Sequence, residues 1–281
     1  MCFFDRKKLT EHVTSITDIT GVHSFLVEGQ QAAALIDTGT GAGDVKEYVK
    51  RLTMLPVTVI LTHGHCDHAG GAAAFDEVWL HKADWKLAER HASMEMKKGY
   101  INFCGGAKAA EMEEQDFMPE RTKEYLDMQD GQLFDLGGIT LEIICVPGHT
   151  HGMCCVLNRE ERSILFGDAC NPAVFMWDEE ATSISEYRKS LLHLQTREQE
   201  YDTVYLSHGD EVASKKLLEG VLAVTEDILA GRAENQPFDF MGHKGICMAE
   251  ATDESGRRLD SGLGNIVYLP DPLKLKQGLS E

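Results

Sequence analysis

The chain is short of basic charge, has no long apolar run, and carries neither a CxxC pair nor a GxSxG turn. Among its 281 residues, Lys and Arg total 27 against 46 Asp and Glu, a net charge of -19 with histidine neutral. Nucleic-acid backbones are held by cations that displace counterions, and anionic membrane surfaces attract basic segments. The acid excess argues against both as partners. No stretch approaches the ~20 consecutive apolar residues of a membrane-crossing helix. The N-terminal residues Met1, Cys2, Phe3, Phe4, Asp5 and Arg6 lack the charged-then-apolar order of a secretory signal, so the expected location is the cytoplasm. Eight cysteines without a paired spacing, in a chain too long to need disulfide staples, read as small buried hydrophobes. Adjacent Cys154 and Cys155 lie in an apolar run and read as strand residues rather than a redox pair. Without GxSxG, no serine nucleophile on a strand-to-helix elbow is expected.

What is present is ordinary globular material, 43% hydrophobic and 26% charged, which excludes disorder, collagen and coiled coil. Short apolar runs at 33–36, 57–61, 141–146, 163–166 and 203–206 are each followed within two residues by Gly, Asp or His, the pattern of buried strands closed by turns. Between them lie segments with a period near 3.6. Asp44 is placed to cap a helix with Val45, Tyr48, Val49 and Leu52 on one face. Ser183 or Ser185 caps a second, bearing Ile184, Tyr187, Leu191 and Leu192. A third carries Leu217, Leu218, Val221, Leu222, Ile228 and Leu229 and stops at Gly231. Strands alternating with helices predict an α/β fold. The segment at about 84–130 departs from this pattern. It holds Met94, Met96, Met112, Met118 and Met128 and no strand run, and reads as a helical insertion, either packed on the body or serving as a lid or a contact in a homo-oligomer. The tail from about 232 reads as irregular, with one short strand at 265–269.

The chemistry concentrates in His63-Gly64-His65-Cys66-Asp67-His68. His63 and His65 alternate from the end of a strand, so both imidazoles face one side and chelate one ion. Asp67 and His68 follow at the turn, within reach of a second ion. Imidazole with carboxylate suits zinc, iron or manganese and disfavours calcium or magnesium.

With these residues the chain resembles the metallo-β-lactamase-fold hydrolase superfamily, from about Gly21 to His208. Asp37 in Leu35-Ile36-Asp37-Thr38-Gly39 matches the first of five ordered motifs, whose carboxylate supports the site from behind. His63, His65, Asp67 and His68 match the second, His149 in Pro147-Gly148-His149 the third, Asp168 in Phe166-Gly167-Asp168 the fourth, and His208 in Ser207-His208-Gly209 the fifth. The resemblance implies a four-layer αββα sandwich with two divalent ions, zinc before iron or manganese. His63, His65 and His149 would hold one ion, Asp67, His68 and His208 the other, and Asp168 would bridge them. Because the ligands span positions 63 to 208, a single domain over 1–281 is expected.

Two close ions make hydroxide available near neutral pH and polarise a carbonyl or phosphoryl oxygen. Asp67 is the candidate catalytic residue, orienting that hydroxide and passing its proton to the leaving group. Cys66 reads as the variable position of the metal loop. The expected reaction is hydrolysis of a small-molecule carboxylic ester, thioester or lactone. Hydroxyacylglutathione hydrolases share the bridging aspartate, while the residues after Asp168 lack the tyrosine common in lactonases. Phosphodiester or phosphonate hydrolysis is the runner-up, followed by iron-dependent oxidoreduction on the same fold and by a non-catalytic metal-binding protein. Substrate choice is assigned to 84–130, Asn171 to Trp177 and the tail. Of the other histidines, His23 reads as packing or pocket, His81 as a packing or supporting residue, His151 as a non-ligand, and His12, His91, His193 and His243 as solvated or packed.

Overall fold

A computed structural model describes residues 2–270. Seven strands form the first sheet in chain order: Phe4–Lys8, Val13–Asp18, His23–Glu28, Ala33–Ile36, Val57–Ile60, Val78–Leu80 and Leu126–Asp127. The first four pair antiparallel, and the last three are added in parallel. The second sheet runs Val212–Ala213, Thr203–Tyr205, Ser163–Leu165, Cys154–Asn158, Thr140–Cys145 and Leu133–Asp135. Its pairs are antiparallel except that between Ser163–Leu165 and Thr203–Tyr205.

Alternation along the strands sorts side chains into layers. Phe25, Val27, Ala34, Ile36 and Ile60 meet Ile143, Cys154, Val156, Leu165 and Tyr205 between the sheets. Leu26, Leu35 and Val59 point the other way, under Val45, Val49 and Ala88 of the first helical layer. Ile144, Cys155, Leu157, Ile164 and Val204 pack under the helices Ile184–Gln195 and Lys216–Leu229. The result is the αββα sandwich. Cys154 and Cys155 are therefore the two faces of one buried strand. The local signals hold: Asp44 accepts from the Glu47 amide, Ser183 caps with Glu186 in a reciprocal box, and Gly231 sits at φ 70° after the last helix.

The strands that precede the motifs share a direction within each sheet. Ala33–Ile36 and Val57–Ile60 are parallel. Thr140–Cys145, Ser163–Leu165 and Thr203–Tyr205 also run alike, since two antiparallel steps separate the first two. Their C-terminal ends converge on one edge, where α/β sheets carry their sites.

Two segments differ from the sequence reading. The insertion does form helices, Trp85–His91, Met94–Cys104 and Gly106–Ala109, but Leu126–Asp127 then joins the first sheet beside Trp79 and Leu80. The tail is more ordered than expected. Gln236–Pro237, Cys247–Met248 and Ile266–Tyr268 build a four-stranded sheet with Val174–Met176. Two-residue strands carry no alternation to read, and irregular loops separate them from their pairing partners.

Lys97, on the insertion helix and 1% exposed, anchors that helix. Its ammonium donates to the carbonyls of Met118 at 2.8 Å and Pro119 at 3.0 Å, and the Gly70 carbonyl lies at 3.5 Å. Burial pulls its pKa down to about 8. Lys97→Ala should orphan these carbonyls and cost about 2 kcal/mol. Calorimetry should show a fall in Tm of roughly 6 °C; an unchanged Tm would mean that the anchor contributes nothing.

Candidate metal centre

All seven residues named from the sequence motifs meet at the sheet edge. His63 Nε2 lies 3.1 Å from His65 Nδ1, which lies 2.9 Å from His149 Nε2. Beside this trio, His68 Nε2 lies 3.3 Å from His208 Nε2, with Asp67 Oδ2 at 3.6 and 3.5 Å from the two. Asp168 stands between the groups. Its Oδ2 is 3.6 Å from His149 Nε2, and its Oδ1 is 3.3 Å from His208 and 3.7 Å from His68.

The outer hydrogen bonds decide which nitrogens carry lone pairs toward the centre. His149 Nδ1 donates to the Phe175 carbonyl at 2.7 Å, and His65 Nε2 donates to Glu180 Oε2 at 3.0 Å. His68 Nδ1 donates to Asp37 Oδ2 at 2.8 Å. Thr62 gives its hydroxyl proton to Asp37 Oδ2 and so accepts from His63 Nδ1 at 3.1 Å. The inward nitrogens are thereby acceptors. Two lone pairs facing each other at 2.9 Å repel unless a cation lies between them. The spacing suits one: tetrahedral ligands at ~2.0–2.1 Å from zinc stand about 3.3 Å apart. Asp168 Oδ1, buried without a hydrogen-bond partner, adds an oxygen in need of a cation. The donor set fits two divalent ions.

Their surroundings divide the imidazoles. Burial and the neighbouring imidazoles push the His63 pKa far down, leaving the ring neutral as a ligand must be. Burial opposes charge on His68 too, yet Asp67, Asp168 and Asp37 raise it to about 10, because carboxylates crowded here demand positive charge. Despite their burial, Asp67 and Asp168 are held low by His68 and His208.

Local backbone explains the motif residues around the ligands. Asp37 sits at φ 60°, a left-handed turn in which its carboxylate also accepts from the Thr62 amide at 2.7 Å. Gly148 must be glycine, since a Cβ there would stand 2.1 Å from the buried ring of Tyr187.

Three residues were not singled out by the sequence reading. Glu180 holds His65 and also accepts from Arg90 at 2.7 Å, and these partners keep its pKa far below the usual carboxylate range against the effect of burial. His91, expected to be solvated or packed, packs on His65 with ring centroids 4.9 Å apart and lies 3.3 Å from Glu180. Tyr100, on the helix Met94–Cys104, turns its hydroxyl toward Asp67; burial and that carboxylate push its pKa well up, so it stays a donor. A run of acids at 178–180 was the sole signal for Glu180. His23 proves to be a packing residue that braces the last motif, bonded to Thr17 at 2.9 Å and to the Gly209 carbonyl at 2.9 Å. His81 caps a short turn through the Ala83 amide. His12, His151 and His193 do not line the cavity, whereas His243 does, beside Trp177.

A cavity of about 1060 Å³ opens onto the centre. Its walls come from the segments expected to set specificity: the insertion, the stretch from Asn171 to Trp177, and the tail at Phe240 to His243. Strand alternation sends Phe175 and Trp177 into it and leaves Met176 in the core.

Fold and site together define a sandwich that binds divalent metal ions between its sheet edges. The model of the metallo-beta-lactamase superfamily matches residues 17–208, and the chain belongs to that superfamily. It is 26% identical over 161 residues to the human acyl-coenzyme A thioesterase MBLAC2, a match over 51% of this chain and 56% of that protein. It is 27% identical over 182 residues to the hydroxyacylglutathione hydrolase GloC of Haemophilus influenzae, covering 61% of this chain and 79% of the relative. The chain thus spans little more than half the length of the MBLAC2 relatives. Among solved structures, a metallo-beta-lactamase from Pontibacter korlensis superposes with a TM-score of 0.56 at 20% identity, over 80% of this chain and 99% of that one. No helix among the described residues is long and apolar enough to cross a membrane.

Proposed function

We propose that the chain is a dinuclear metal-dependent hydrolase acting on a small carboxylic ester, thioester or lactone in the cytoplasm. The observation that carries this reading is Asp168, whose two oxygens face two separate imidazole groups. His63, His65 and His149 would hold one ion and Asp67, His68 and His208 the other, with Asp168 available to both. The ligand types suit zinc, with iron and manganese sharing the same preferences. Bound there, the ions supply a water of lowered pKa and a Lewis acid for the carbonyl oxygen.

The chain's own groups do the rest. The Asp67 carboxylate orients the attacking water and carries its proton toward the leaving group. Tyr100, protonated and lining the cavity, is the candidate hydrogen-bond donor to the oxygen or sulfur on which charge develops. Asp37, Thr62, Glu180 and the Phe175 carbonyl keep the imidazoles aimed. The names of the relatives, an acyl-coenzyme A thioesterase and a hydroxyacylglutathione hydrolase, favour an acyl bond. Cys66 is no nucleophile: burial and the adjacent Asp67 push its thiol pKa up. Cys66→Ala should therefore keep kcat/KM within about twofold, and loss of turnover with metal retained would revive a thiol mechanism. The direct test is a panel of ester, thioester, lactone and phosphodiester substrates with and without chelator. Chelator-sensitive cleavage of an acyl substrate is expected; cleavage of the phosphodiester alone would overturn the assignment.

A further inference from the structure

Resting on this hydrolase reading, we infer that the substrate is an apolar, ring-bearing acyl ester or thioester whose remaining portion carries no net negative charge. Such a substrate differs from the anionic coenzyme A and glutathione carriers named in the relatives.

The first support is the wall. Phe175, Trp177 and Phe240 form one aromatic cluster, with centroids 4.6, 4.8 and 5.6 Å apart, and Trp177 continues onto His243 at 5.5 Å. None of the three is fully buried, and all line the cavity beside the centre. Met96 and Met241, also lining, are 40% and 44% exposed. Large apolar side chains left open together around a polar centre mark a surface that an apolar group covers. Rings stack on such a wall at the spacing that aromatic pairs prefer. Phe175 also links this wall to the centre, because its carbonyl holds His149.

The second support is charge. Among the described residues no Lys or Arg lines the cavity, while Asp67, Glu95, Asp168, Asp178, Glu179 and Glu180 do. Asp67 and Asp168 belong to the centre, and Glu180 is paired with Arg90. Glu95, Asp178 and Glu179 remain at the mouth, exposed and without an ion-pair partner among the described residues. Anionic carriers are gripped by Arg and Lys, and the cavity lining among the described residues offers acids instead. Together with the overall charge of -19, this rim repels anions at the point of entry and favours neutral or cationic groups.

The test separates this inference from the chemistry. Benzohydroxamates share one metal-chelating head, so their para substituent reports the cavity alone. Binding of the 4-methyl, 4-aminomethyl and 4-carboxy forms to the metal-loaded full chain is measured by titration calorimetry, with acetohydroxamate as the ringless reference. The neutral and cationic forms should bind at least ~10-fold more tightly than the carboxylate, and the gap should narrow when Glu95→Gln, Asp178→Asn and Glu179→Gln are combined. Trp177→Ala should weaken the aryl series at least ~10-fold more than acetohydroxamate, a ratio that also controls for misfolding. In turnover, a phenylacetyl thioester of N-acetylcysteamine should exceed its coenzyme A counterpart in kcat/KM. A carboxylate bound as tightly as the neutral ring, or no aryl preference over acetohydroxamate, overturns the inference. The predicted binding order without hydrolysis of any substrate would instead overturn the hydrolase reading and leave the pocket's preference standing.

Discussion

Asp168→Ala should lower kcat/KM by ~1000-fold or more and reduce the bound metal below two ions per chain. The reason is geometric. Its Oδ2 faces the trio of His63, His65 and His149, and its Oδ1 faces His68 and His208. No other carboxylate among the described residues lies within 4 Å of imidazole nitrogens from both groups, since Asp67 approaches only His68 and His208. Alanine removes the link and leaves each set one ligand short. The fold should survive, because Asp168 lies at the open edge rather than between the sheets. Circular dichroism and Tm serve as controls, and metal content and kcat/KM are the readouts. Wild-type turnover in this variant would sink the dinuclear mechanism.

Tyr100→Phe should lower kcat by ~100-fold, the usual cost of one well-aimed donor, with metal content unchanged. The hydroxyl faces Asp67 from the insertion helix, and burial with that carboxylate keeps it protonated. Phenylalanine preserves the ring and its packing, so a loss in kcat at constant stoichiometry isolates the donor. An unchanged kcat would assign Tyr100 to packing alone. The predicted loss would give the insertion a catalytic task; Lys97, one turn earlier on the same helix, anchors the turn that carries Tyr100.

The seven candidate ligands were legible in the sequence because each follows a short apolar strand and sits in a contiguous motif with fixed spacing. Strand direction then brings those ends to one edge. Asp44, Ser183 and Gly231 were legible for the same reason, as capping acts within a few residues. Glu180, His91 and Tyr100 were not. Their contacts with His65 and Asp67 arise through space, from a helical insertion and a loop whose placement no local periodicity reveals. The tail shows the same limit: Ile266–Tyr268 could be anticipated from its β-branched run, but Gln236–Pro237 and Cys247–Met248 are strands only through partners across intervening loops. The aromatic wall was half legible. Phe175 and Trp177 were in view, whereas Phe240 joins them only once the tail folds back.

The most direct measurement is elemental analysis of the purified full chain, read beside acyl-substrate hydrolysis on the same sample. The account predicts two divalent ions per chain, with hydrolysis lost on chelation and restored when metal is returned. Hydrolysis that persists at one ion or fewer per chain, unaffected by chelator, would contradict it.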